Sequence, residues 1–167
     1  DGRFFTATGK ARFVPAPRPW PGYAAKVTRQ RERYQFWVNN GRANHIWQTL
    51  YHHQLIPYFQ EHNPVPFIEI NPVDAKQLII DSGDLVEVYN DVGTVEAMAY
   101  LTDAVKPGHT FMLFGHPKGP VGNLVSDHVD PDTTIPYYKG VWADIRRLRA
   151  IPDWQDRMTF LPRNVAT

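Results

Sequence analysis

From Phe67 onward the apolar residues come in short runs, each closed by turn chemistry, and this most narrows what the chain can fold into. "FIEI" is stopped by "NP", "LVEVYN" by "DVG", "TVEAMAYLT" by a stretch ending in "KPGH", and "TFMLFG" by "HPKGPVGN". Runs this short and rich in β-branched residues are strand-length. The turns between them hold Gly, Pro, Asn and Asp, which supply positive φ, a fixed φ or a side chain that bonds its own backbone. In "TVEAMAYLT", Val95, Ala97 and Ala99 alternate with Thr94, Glu96 and Met98, the period of a half-buried strand. "TFMLFG" is continuously apolar and predicts a strand buried on both faces. "VWADIRRL" predicts a closing strand. One short helical pattern interrupts them, "DAKQLII", with Asp74 as its cap and Ala75, Leu78 and Ile79 on one face. Gly93 is expected to take positive φ in a tight turn. The fold class is therefore mainly β, a compact barrel with short helices.

The N-terminal part reads differently. Eight of the fifteen prolines lie in residues 1–72, among them "PAPRPWPG". Proline fixes φ and removes a donor, so residues 1–37 are expected as an extended arm or linker. The barrel is expected over 38–150 and a tail over 151–167. The chain opens at "DGRFFTATGKARF" without initiator Met or signal peptide, so a piece of a longer polypeptide is expected.

Composition removes several functions. The chain has 167 residues, 43% hydrophobic and 21% charged, with a formal net charge of +1. Nothing in that balance favours nucleic acid or an anionic membrane surface. The basic runs Lys26–Arg33 and Arg146–Arg149 read as solvated faces or local phosphate contacts. No apolar run is long enough to span a membrane. Cysteine is absent, which excludes disulfides, thiolate metal sites, iron–sulfur ligation and a cysteine nucleophile within these residues. Of the seven histidines, His52 and His53 are adjacent and project apart on either a strand or a helix, so one metal ion cannot readily use both. No His-Glu-x-x-His spacing and no G-x-S-x-G elbow occurs, and "GHPKGPVGN" lacks the G-x-x-x-x-G-K-[ST] pattern of a phosphate loop. Neither a metal ligand nor a catalytic residue is assigned.

What remains is binding equipment, concentrated in "NNGRANHIWQTLYHHQ", Asn39 to Gln54. Arginine presents a planar fork to phosphate or carboxylate, Asn and Gln read amide-bearing heterocycles, and Trp offers a stacking face. On residue chemistry alone, two readings stand level: one wall of a site for a planar phosphorylated ligand, and an interface loop that satisfies its own backbone.

Taken in order, "NNGRANHIWQT", "EINPVDAKQLIIDSGDLVEVYNDVGTVEAMAYLTDAVKPGHTFMLFGH", "GNLVSD" and "IPYYKGVWADIRR" resemble the molybdopterin dinucleotide-binding domain that closes oxidoreductases of the dimethyl-sulfoxide-reductase superfamily. The likeness covers about residues 38–148, and "VEVYND", "FMLFG" and "IPYYKGVWADIRR" are most similar to the arsenite oxidase large-subunit branch, with iodate reductase related. The resemblance implies a double-psi β-barrel. It also implies molybdenum held by two molybdopterin guanine dinucleotides, and an iron–sulfur cluster elsewhere in the parent protein. Implied partners are the remaining domains of the catalytic subunit, a Rieske-type small subunit and a periplasmic electron carrier; the implied location is the periplasm.

Carried onto this sequence, the resemblance puts Gly41, Arg42, Asn44, His45, Trp47, Gln48 and Thr49 in a first cofactor-contacting segment. Asn123 follows in a second, and Tyr138 and Lys139 in a third. Gly41 is expected to permit close backbone approach and Arg42 a charged hydrogen bond; Asn44, Gln48 and Asn123 are expected to contact ring or phosphate. Asn71, Pro72, Asp74, Gly83 and Asp84 are expected to shape the barrel, and Trp142 to belong to the core. The reading is a cofactor-capping domain for oxidation of arsenite to arsenate. An iodate reductase and a non-catalytic β-barrel interaction module are the alternatives, and His52 and His53 stay without a role.

Overall fold

The computed structural model describes residues 2–13, 21–42, 55–62, 64–131 and 133–157. Six strands close into a barrel: β1 (Phe36–Gly41), β2 (Phe67–Ile70), β3 (Asp84–Tyr89), β4 (Thr94–Leu101), β5 (His109–Leu113) and β6 (Val141–Ala150). Around the barrel they run β1-β5-β2-β4-β3-β6, with β6 returning to β1. The pairs β1–β5 and β2–β4 are parallel and the other four antiparallel. This is the mainly β, double-psi barrel expected of the sequence, and each strand predicted from Phe67 onward is present.

The alternation read in the sequence is what fills the interior. Phe36 and Val38, Ile68 and Ile70, Val86 and Val88, Val95, Ala97 and Ala99, Met112, and Ala143 and Ile145 form one buried cluster. Each large aliphatic side chain in it contributes about 1.5–3 kcal/mol through burial. A second cluster, Phe67, Met98, Tyr100 and Leu113, lies on the outer wall under Val65, Phe111, Ile151 and Trp154. The second half of β4 is thus buried on both faces, where alternation predicts half-burial.

The arm differs from its expectation. Residues 21–33 form helix α1 (Pro21–Arg33), not extended chain. Pro21 stands at the helix start, where its fixed φ suits and its missing N–H is not needed. No proline follows before Arg33, and Arg31 and Arg33 lie in the last turn, where cations oppose the helix dipole. Residues 14–20, with the other prolines of "PAPRPWPG", lie outside the described residues.

Helix α2 (Pro57–His62) precedes β2, and helix α3 (Pro72–Leu78) follows it. The cap of α3 is Asn71, not Asp74: Asn71 Oδ1 accepts from the Val73 amide at 2.9 Å and its Nδ2 donates to Val105 O at 2.8 Å. "INP" places a capping side chain and a first-position proline together, so the helix begins earlier than the apolar pattern shows. Asp74 is buried and accepts from the Gly108 amide at 2.7 Å, tying α3 to the turn before β5. The helix ends at Ile79, a non-glycine residue at φ 56°.

Asp84, at the start of β3, ties that strand to β6. Register between β3 and β6 steps between Leu85 and Val86, whose partners are Arg149 and Arg147, leaving Leu148 as a bulge. Arg147 then bonds Asp84 twice, Nε to Oδ2 at 2.6 Å and a terminal nitrogen to Oδ1 at 3.0 Å. Burial pushes the Asp84 carboxyl up, but the Arg147 hydrogen bonds and the Asp81 amide outweigh it and hold it below the usual carboxylate range. Gly83, just before, has φ +90°, and a Cβ there would meet Trp154 Cδ1 at 2.0 Å. Trp154 opens the last helix, α4 (Trp154–Arg157). Trp142, expected in the core, is half-buried on β6 with its ring edge-on to Trp37 at 5.4 Å.

Candidate cofactor-binding rim

The strand directions decide where the predicted site residues gather. With β1 parallel to β5, β2 parallel to β4 and the remaining neighbours antiparallel, one end of the barrel collects the C-terminal ends of β1, β3 and β5. The same end collects the starts of β2, β4 and β6. Gly41 and Arg42 leave β1 there; Tyr138 and Lys139 arrive there before β6. The turn Asn90–Gly93 joins β3 to β4 at that end, and a 3-10 turn, Val121–Leu124, lies against it. Positions distant in sequence thus become neighbours on one rim.

Side-chain contacts tie the segments together. Asn40 is inward and buried, in phase with Phe36 and Val38, and its Nδ2 donates to Tyr138 O at 2.6 Å. The Lys139 ammonium donates to Asn39 Oδ1 at 3.2 Å and to the Asn40 carbonyl. The Phe114 amide donates to Gly41 O at 2.7 Å, and the Phe114 ring meets the Tyr138 ring edge-on at 5.4 Å. Across the rim, Asn90 Nδ2 bridges Leu124 O at 2.9 Å and Trp142 O at 3.1 Å, while its Oδ1 accepts from Val92 and Gly93 amides. The side chains of Arg42 and Asn123 are exposed on this frame. The rim therefore offers a guanidinium, an ammonium and an amide on a braced support, the donor set for phosphate oxygens and a heterocycle edge.

Two glycines are small for packing reasons that the sequence does not show. A Cβ on Gly41 would lie 2.6 Å from Phe111 Cε2, so the small residue makes room for that ring. Gly93 is absent from the positive-φ residues, and a Cβ there would meet Asn123 O at 2.6 Å. Gly93 thus lets the β3–β4 turn sit under the segment that carries Asn123. Likewise a Cβ on Gly119 of "GHPKGPVGN" would lie 2.5 Å from Pro66 Cγ and 2.8 Å from Glu96 O, so glycine lets that loop pack against the residue before β2 and against β4. Asn44, His45, Trp47, Gln48, Thr49, His52 and His53 lie outside the described residues. Sequence reasoning misses Asn40 and Asn90. The inward phase of β1 is the signal that could find Asn40, and the turn "NDVG" is the one that could find Asn90.

The geometry defines a class: a closed β-barrel whose one rim presents polar donors from three separated segments. Comparison with known proteins gives that class its family. Residues 36–142 match the model described as "Molydopterin dinucleotide binding domain", and the chain belongs to that family. It is 46% identical to the arsenite oxidase subunit AioA of Herminiimonas arsenicoxydans over 93% of this chain and 18% of that protein. It is 29% identical to the iodate reductase subunit IdrA of Denitromonas iodatirespirans over 81% of this chain and 19% of that protein. Among solved structures, acetylene hydratase from Pelobacter acetylenicus aligns with TM-score 0.60 at 18% identity, over 81% of this chain and 21% of that one, a likeness of fold. The chain spans about a fifth of the length of these curated relatives.

Proposed function

We propose that this chain is the cofactor-capping domain of an arsenite-oxidase-type molybdenum oxidoreductase, acting in the two-electron, oxygen-transfer oxidation of arsenite to arsenate. The observation that carries this reading is the convergence of Gly41–Arg42, Asn123 and Tyr138–Lys139 on one barrel rim. The residues present fit molybdopterin guanine dinucleotide: the exposed Arg42 suits a phosphate and the exposed Asn123 amide suits a base edge. Asn44, His45, Trp47, Gln48 and Thr49 extend the same segment and belong to the proposed wall. The bound group supplies the redox chemistry, and this chain supplies binding, orientation and exclusion of water. Lys139 takes a supporting part. Its ammonium holds the end of β1, so Arg42 leaves the barrel from a fixed point.

The reading carries with it an iron–sulfur cluster in the rest of the polypeptide, a Rieske-type small subunit, a periplasmic electron carrier and a periplasmic location. Similarity to arsenite oxidase at 46% against 29% for iodate reductase favours arsenite as the substrate. The test uses the full-length protein with Arg42→Ala, Asn123→Ala and Arg42→Ala/Asn123→Ala. Cofactor affinity, read from molybdenum content and oxidised-pterin fluorescence, is expected to fall by roughly 30-fold or more in the double variant, the effect of removing two hydrogen bonds to the cofactor, one of them charge-assisted. Unchanged occupancy in the double variant would remove the rim from the binding site. Assays of the wild type with arsenite and iodate separate the two substrates.

A further inference from the structure

Away from the rim, the outer wall of β1, β5 and β2 holds a cleft of about 380 Å³ lined by Trp37, Asn39, Glu69, Lys106, His109 and Phe111, among others. Glu69 is the one carboxylate among its lining residues. Register sets Glu69 beside Phe111 on one side and Tyr100 on the other. It therefore interrupts the outward apolar row that Phe67, Met98, Tyr100 and Leu113 form. The ion pairs of the described residues involve Asp127, Glu87 and Asp84, not Glu69, and Lys106 and His109 do not reach it. Burial pushes its carboxyl above the usual range, and the Glu69 charge in turn raises the Tyr100 hydroxyl after burial. A half-buried carboxylate among aromatic rings is unfavourable unless a cation meets it.

We propose that this cleft is a docking site for an arginine side chain from the part of the same polypeptide that lies outside these residues. Charge complementarity selects a cation, and the flanking Trp37 and Phe111 rings select arginine over lysine. A guanidinium engages a carboxylate with its fork while its flat face stacks on an aromatic ring, whereas an ammonium is a hydrated point charge. The source follows from length: the chain spans about a fifth of its relatives, so the larger part of such a polypeptide is available to cover this wall. The inference rests on the proposed reading of the chain as one domain of a larger oxidoreductase.

The experiment places p-benzoylphenylalanine at His109, an exposed position at the cleft, in the full-length protein. Photocrosslinked peptides are mapped by mass spectrometry, with molybdenum and pterin measured on the same preparation. An intramolecular crosslink to an arginine-bearing peptide outside these 167 residues is expected. Its yield should fall about tenfold with Glu69→Arg, which opposes two cations, and stay within about twofold with Glu69→Gln, which keeps shape and hydrogen bonding. Crosslinks confined to a second copy, to a separate protein or to residues within this chain would overturn the proposal, as would equal yields from the two variants. Normal cofactor content with no such crosslink sinks the docking site alone; absent cofactor in the wild type sinks the functional reading.

Discussion

Replacing Asp84 by Asn should remove the strongest polar tie between β3 and β6. The Asp84 side chain is 3% exposed and accepts three bonds, two from Arg147 and one from the Asp81 amide at 2.9 Å. An amide keeps the volume but has one acceptor oxygen, so at least one guanidinium bond is lost and an amide N–H faces a cation. Charge-assisted bonds contribute about 1.5–3 kcal/mol each, and the 43% exposure of Arg147 argues for the low end through solvent screening. The expected loss is about 2–3 kcal/mol, or roughly 5–10 °C in Tm for a chain of this size. Calorimetry at several pH values checks the origin of the effect. A carboxyl held below its unfolded pKa stabilises above that pKa, near about 4, and its contribution is lost as pH falls through the folded value. The Tm gap between wild type and Asp84→Asn should therefore be full at neutral pH and shrink below about pH 4. A gap under about 2 °C at neutral pH, or one that persists unchanged into acid, would refute the assignment of stability to this ion pair.

Two further substitutions test other parts of the frame. Gly93→Ala puts a methyl group 2.6 Å from the Asn123 carbonyl, so in the full-length protein it should lower pterin retention more than it lowers Tm, as measured by fluorescence after gel filtration. Ile79→Gly should raise Tm by about 2 °C, because relief of left-handed strain at an 80% exposed side chain exceeds the entropy glycine adds by roughly 0.5–1 kcal/mol.

The barrel is legible because its strands obey period-two burial and its turns carry their own chemistry. Val95, Ala97 and Ala99 point inward in the structure as alternation requires. Errors arise where a local signal has two physical solutions. Asp74 resembles a cap, but the helix starts at Pro72 once Asn71 supplies the acceptor, and the Asp74 carboxylate is drawn instead to a distant amide, that of Gly108. Proline density suggests extension through residue 37, yet a single proline at a helix start is compatible with helix, as α1 shows. In the sequence, Gly41 reads as room for a ligand and Gly93 as a positive-φ turn residue. At both positions an added Cβ would come within about 3 Å of another chain segment, a long-range fact that no local pattern contains.

The candidate site is legible in another way, through the resemblance, which names Arg42, Asn123, Tyr138 and Lys139 without saying how they meet. Topology supplies the meeting. Parallel β1 and β5 carry their C-terminal ends to the same rim, and the antiparallel β6 begins there. A purely antiparallel meander would also gather alternate turns, but it could not place the exits of β1 and β5 side by side. Asn40 and Asn90 then join the segments, one bonding Tyr138 O and the other Leu124 O. The Asn40 and Asn90 side-chain nitrogens donate within the frame, while Arg42 and Asn123 are exposed. The rim thus has exposed donors beyond those that brace it, which is what the proposed binding role requires.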